Sequence, residues 1–118
     1  MADILGTFEQ AVLLAVVRLD DEAYGRAILK EVQARLEREV AAGAVHATLG
    51  RLEQKGLLVS RLGPGTEVRA GRPRRFYTLS ASGRRALNDA RTAANNLWRS
   101  FRWPLKGSYE RTEASILG

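Results

Sequence analysis

Gly43-Ala44-Val45-His46-Ala47-Thr48-Leu49-Gly50-Arg51-Leu52-Glu53-Gln54-Lys55-Gly56-Leu57-Leu58-Val59-Ser60-Arg61-Leu62 changes its structural period partway along. In its first part Val45, Leu49 and Leu52 recur at helical spacing, which predicts a helix over about Gly43 to Lys55 with Gly56 as its C-terminal stop. Leu57 to Leu62 then reads as a strand. Gly63-Pro64-Gly65 opens a turn that lasts to about Arg72, and Arg75-Phe76-Tyr77-Thr78-Leu79 reads as the returning strand. A helix running straight into a hairpin is the centre of the fold.

The flanking segments extend this pattern. Upstream, Tyr24, Ile28, Val32 and Leu36 repeat every four residues and predict a helix from about Ala23 to Arg38. A short turn around Val40 to Ala42 joins it to the helix that follows, giving a helix-turn-helix. Further upstream, Thr7-Phe8-Glu9-Gln10 reads as a capping box opening a helix to Leu19. Downstream, Ser80 is the expected N-cap of a last helix reaching about Phe101, before Pro104 forbids continuation. The expected fold class is mainly α with a small β-hairpin. A winged helix-turn-helix domain spans 1–79, a dimerisation helix 80–103 and a flexible tail 104–118.

Composition narrows the function. The chain has 118 residues, 45% of them hydrophobic, enough for one core. It has no cysteine, which excludes a disulfide framework and a thiolate zinc site. The longest apolar run, Ala11 to Val17, is too short to span a bilayer, and Met1-Ala2-Asp3-Ile4 lacks a basic signal start. A cytoplasmic protein without a membrane partner is expected. With one histidine and no nucleophile constellation, the expectation is a non-enzyme without cofactor or metal.

Charge is the most informative property. Between Arg61 and Arg85 lie seven arginines against the single acid Glu67, so this segment carries the whole net charge of +6. Concentrated basic charge is the footprint of a polyanion site. In a helix-turn-helix the second helix enters the major groove. Its polar face is read as His46, Thr48, Arg51, Gln54 and Lys55, with His46, Thr48 and Arg51 nearest the bases and Lys55 nearer phosphate. The hairpin arginines Arg72, Arg74 and Arg75 are then expected on the backbone or minor groove. In the last helix Leu87, Ala90, Ala94, Leu97, Trp98 and Phe101 recur at three and four, a seam suited to a second subunit. The rival classes are a basic RNA-binding or ribosome-associated protein and a winged-helix protein-interaction module. The first wants exposed aromatic platforms, yet Phe76 and Tyr77 alternate along a strand and at least one must face the core. The second leaves the arginines unexplained.

Leu5-Gly6-Thr7-Phe8-Glu9, Ala23-Tyr24-Gly25, Gly43 to Leu49, Arg51 to Leu57 and Gly71 to Leu79 together resemble the PadR family of transcriptional regulators, over about Leu5 to Leu87. The resemblance implies a homodimer that binds an inverted-repeat operator on double-stranded DNA and represses, released in many members by a small molecule. It implies Tyr24 on the DNA side, and Phe8 and Val12 of the first helix against the partner's last helix. It also implies a small aromatic effector stacked at Trp98 or Trp103. Two residues depart from the pattern: His46 stands where tyrosine is usual, and Ala41 where a capping serine is common.

Overall fold

The computed structural model describes residues 4–63, 68–69 and 72–103, with backbone alone at 68, 69 and 72. The order is α1 (Thr7–Leu19), a 3₁₀ turn (Asp20–Glu22), α2 (Gly25–Leu36), α3 (Ala42–Gln54), β1 (Leu58–Leu62), β2 (Val68–Arg69), β3 (Arg72–Pro73), β4 (Arg75–Leu79) and α4 (Ala81–Trp98). This is the mainly helical architecture with a small antiparallel hairpin that the sequence predicts. The expected tail, 104–118, lies outside the described residues, as does Pro104.

One residue shifts the start of α1. Gly6, not Thr7, is the N-cap, and its N–H donates to Glu9 Oε1 at 3.1 Å. Gln10, expected to reach back to the cap, instead donates to the Leu5 carbonyl at 3.0 Å. The Gly6 N–H holds the Glu9 carboxyl below the usual carboxylate value; burial opposes this, and Lys55, at 3.2 Å, reinforces it.

The core is made where three helices meet the hairpin. Val12, Leu13 and Val16 of α1, Ile28 and Val32 of α2, Val45, Leu49 and Leu52 of α3, and Leu58 of β1 are all buried. Each such large aliphatic side chain contributes roughly 1.5–3 kcal/mol on burial. The α2–α3 turn is pinned by the Gln33 side chain, whose amide donates to the Val40 carbonyl at 3.0 Å. Glu37 closes α2 in the left-handed region at φ 53°.

β1 pairs antiparallel with β4, from Leu58 opposite Leu79 to Leu62 opposite Arg75. The chain entering α2 adds to the free edge of β4: Tyr24 bridges Phe76, and the Tyr77 N–H donates to the Ala23 carbonyl at 2.9 Å. This contact fixes the start of α2 against the wing. β2 and β3 form a second short ladder, Val68 opposite Pro73 and Arg69 opposite Arg72, within the span expected as turn.

The root of α4 is anchored by both hydrogen bonds and close backbone packing. Ser80 caps it as predicted, its Oγ accepting from the Gly83 N–H at 3.0 Å and donating to the Gly56 carbonyl at 2.6 Å. Gly56 needs its φ of +79° to end the α3 segment there. Gly83 is needed for a different reason: a side-chain carbon would overlap the carbonyl oxygen of Leu57.

The seam expected along α4 is divided. Ala90 is buried and Leu87 half-buried in the chain's own core, because the first half of α4 packs on α1. On α1, Val12 is fully buried and Phe8 packs on the same core, so these two also serve the domain interior rather than a partner's helix. The apolar residues that α1 leaves exposed are Leu14 and Val17. Ala94, Leu97, Trp98 and Phe101 stay exposed. The helix ends at Trp98, short of Phe101, with Ser100 in the left-handed region at φ 60°. Trp98, Phe101 and Trp103 then meet edge to face, with centroids 5.4–6.2 Å apart.

Gly83→Ala should lower the unfolding free energy by about 1–3 kcal/mol, the usual penalty for overpacking against an immobile neighbour. Urea unfolding followed by circular dichroism checks this, and an unchanged midpoint would mean that the α4 root is not tightly seated.

Candidate nucleic-acid interface

α3 is seated by an inner stripe and leaves an unusual outer one. Val45, Thr48, Leu49 and Leu52 face inward and are at most 2% exposed. This overturns the expectation for Thr48. It lies three residues after Val45 and four before Leu52, so helical spacing puts it among the apolar residues and not at the bases. Its hydroxyl has a different task, accepting from Arg51 Nη2 at 3.1 Å and thereby holding that guanidinium against the helix.

The outward face is centred on Gly43, Ala47 and Gly50, with His46 on one flank and Arg51 on the other. A Cβ at Gly43 or Gly50 would meet nothing within 4 Å. Helix backbone can therefore come close to whatever lies outside. The sequence reading passed over these small residues because it looked for polar side chains. Ala41, the N-cap of α3, makes no side-chain capping bond, as its departure from serine implies. Lys55, expected near phosphate, turns instead to α1 and pairs with Glu9.

The wing brings arginine and aromatic side chains into one ladder. Strand alternation puts Tyr77 inside and Phe76 outside. Arg61 lies 5.2 Å from the Phe76 ring centroid. Phe76 meets Tyr24 edge to face at 5.7 Å, and the Arg74 guanidinium covers the Tyr24 ring at 4.3 Å. Such cation–π contacts fix long side chains that would otherwise lose much rotamer entropy on binding a partner. Arg75 lies on the opposite face of the strand and donates to Ser60 Oγ at 3.0 Å, while Ser60 donates to Glu53 at 2.6 Å. Burial raises the Tyr77 phenol above its ordinary value, reinforced by the charge of Glu53. The side chain of Arg72 lies outside the described residues, although its backbone is in β3.

These elements enclose a groove of about 690 Å³ between the start of α2, the first half of α3 and β4. Tyr24, His46, Arg74 and Arg75 line it, and so do Arg26 and Lys30 of α2, which sequence reasoning did not select. Their signal was available: they stand four apart on the polar side of the α2 repeat. Among the described residues no carboxylate lines the groove. Of the residues expected at the site, the fold gathers Tyr24, His46, Arg74 and Arg75 around one basic concavity, while Arg51 sits on the far flank of α3.

A helix-turn-helix with its second helix exposed, flanked by an arginine-bearing hairpin, defines a winged-helix DNA-binding regulator. Comparison with known proteins makes the assignment more specific. A family model described as the transcriptional regulator PadR-like family matches residues 13–89. The transcriptional regulator Rv3488 of Mycobacterium tuberculosis is 39% identical over 80 residues, covering 68% of this chain and 70% of that protein. Among solved structures, a PadR-like transcription factor from Bacteroides fragilis superposes with a TM-score of 0.62 at 25% identity, covering 78% of this chain and 84% of the other. A PadR family regulator from Eggerthella lenta gives 0.58 at 29% identity, with 73% and 72% covered. The chain belongs to the PadR-like family of DNA-binding transcriptional regulators.

The bare stripe on α3 makes a test in which stability and binding move apart. Gly50→Ala should raise the unfolding free energy by about 0.5–1 kcal/mol, since glycine is costly inside a helix. Gly50→Leu should keep part of that gain yet weaken duplex binding sharply, because the side chain holds the helix away from the groove. Thermal unfolding and fluorescence anisotropy on the same samples check both. Undiminished binding by the leucine variant would remove this face from the DNA.

Proposed function

We propose that the chain is a repressor that binds an inverted-repeat operator as a homodimer. The observation that carries this is the basic groove rimmed by Arg26, Lys30, Arg74 and Arg75 beside the exposed face of α3. In this reading α3 enters the major groove, with His46, Arg51 and Gln54 flanking its bare stripe and reaching base edges. Arg74 and Arg75, with Arg72 of the same wing, grip the phosphate backbone or the adjacent minor groove. Tyr24 acts mainly as the platform under Arg74. Occupying the promoter suffices to repress.

Dimerisation is supported by what the domain leaves uncovered. Leu97 is 78% exposed and Trp98 61%, in line with Phe101 and Trp103, and α1 exposes Leu14 and Val17. Clustered apolar side chains of this size mark an association surface. To engage two half-sites, such a dimer must hold its two α3 helices about one DNA turn apart, ~34–36 Å. Within one chain Trp98 and Trp103 meet at 67°, so these two rings form no parallel slot for a flat molecule. We assign the cluster to subunit association, and any stacking of a small aromatic effector to the two copies of Trp98 across that contact. The RNA rival loses ground: Tyr77 is buried and Phe76 packs between Arg61 and Tyr24, which leaves no stacking platform on β4.

Two measurements test the reading. Binding should weaken with salt at a slope of roughly −0.9 per phosphate neutralised, and Arg74→Ala with Arg75→Ala should make that slope shallower by about one to two on operator and random duplex alike. An unchanged slope would take the wing off the DNA. Leu97→Glu should sediment as a monomer and lose operator affinity far more than non-specific affinity. A variant that remains dimeric would move the subunit contact elsewhere.

A further inference from the structure

The groove has a property that phosphate binding does not require. Its rim is cationic, but its floor is oily: Leu29, Val45, Leu49 and Tyr77 lie at the bottom, between α2, α3 and β4. A phosphodiester backbone needs donors and positive charge, and gains nothing from an aliphatic depression. The volume, about 690 Å³, falls in the ~300–1,000 Å³ range of sites that hold small organic molecules.

Charge selects the class of occupant. Arg26 and Lys30 project from adjacent turns of α2 and have no ion-pair partner among the described residues. Across the groove, Arg74 is held over Tyr24 and Arg75 is tied to Ser60, so the cations on that side are already oriented. With four cations and, among the described residues, no carboxylate in the lining, a cationic ligand would be repelled and a neutral one would leave the rim unused. An apolar body carrying one anionic group satisfies both halves: its body dries the floor, and its head accepts from guanidinium or ammonium donors.

We infer that this groove is a small-molecule site for an amphiphilic monoanion, and that occupation of the site excludes DNA. The exclusion rests on the DNA-binding reading above, because the same rim serves the backbone; the site itself does not. A ligand held there shifts the regulator toward its DNA-free form by as much as it prefers that form, since it uses cations that the duplex would otherwise occupy. This places a release signal on the face that α2, α3 and β4 share, apart from the Trp98 cluster.

The test uses 8-anilinonaphthalene-1-sulfonate, a probe with an apolar body, one sulfonate and fluorescence that rises on burial. The full chain should bind it saturably at one site per subunit without DNA. Arg26→Gln with Lys30→Gln, both exposed positions on α2, should raise the dissociation constant about tenfold, equivalent to ~1.4 kcal/mol. Val59→Ser, which removes an exposed apolar side chain of β1 outside the groove, should leave it unchanged. A duplex that the protein retains should displace the probe, and excess probe should release the duplex. Binding that survives the α2 double variant, that disappears with Val59, or that coexists with bound duplex would overturn the proposal. Saturable, α2-dependent probe binding in a protein that retains no duplex at low salt would instead keep the anion site and defeat the DNA reading.

Discussion

A missing side chain at position 83 governs how the parts of this molecule are joined. Because Gly83 offers no Cβ, the first turn of α4 can lie directly on the Leu57 carbonyl. Ser80 adds two hydrogen bonds at the same place, one within α4 and one to the Gly56 carbonyl. The end of α3, the start of β1 and the root of α4 are therefore one rigid junction. The direction in which α4 leaves the domain follows from it, and so does the position of Leu97 and Trp98 relative to α3. If those residues bind a second subunit, the spacing between the two α3 helices is set by this junction and not by a loop.

Local chemistry was the legible part of the sequence. β4 at Arg75–Leu79 and the Ser80 cap were readable because a strand period and a capping oxygen each act within a few residues. The α2–α3 pair and the basic wing followed from the order of elements and the placement of arginine. What could not be read was which body covers an apolar stripe. Val12 and Ala90 look equally suited to a partner or to the interior, and only the fold shows that α1 and the first half of α4 bury them in the same core. Thr48 was misassigned for a simpler reason. Its hydroxyl drew it to the polar face, although its spacing from Val45 and Leu52 put it inside. Lys55 depended on Glu9, forty-six residues away in sequence, and no local pattern reports such a pair.

The wing arginines are alike in sequence and unlike in structure. Arg61 and Arg74 rest on aromatic rings, and Arg75 is held by a hydroxyl that itself binds a carboxylate. Guanidinium suits all three settings because it is planar, weakly hydrated and permanently charged. Lysine in these places would keep the charge and lose the orientation. The composition of the wing is therefore a matter of geometry as much as of net charge.

Helix α3, finally, is a poor helix in its own right. Gly43 and Gly50 lie within it, His46 and Thr48 have middling propensity, and Ala41 gives it no side-chain cap. At 13 residues, such a segment in isolation would be mostly coil in water. Its form is lent by the core through Val45, Thr48, Leu49 and Leu52. Its inner amides should accordingly exchange with solvent only when the whole domain opens, and not through independent fraying. The exposed face of α3 and the core are then one cooperative unit: a domain that melts in part loses the shape of that face together with its packing.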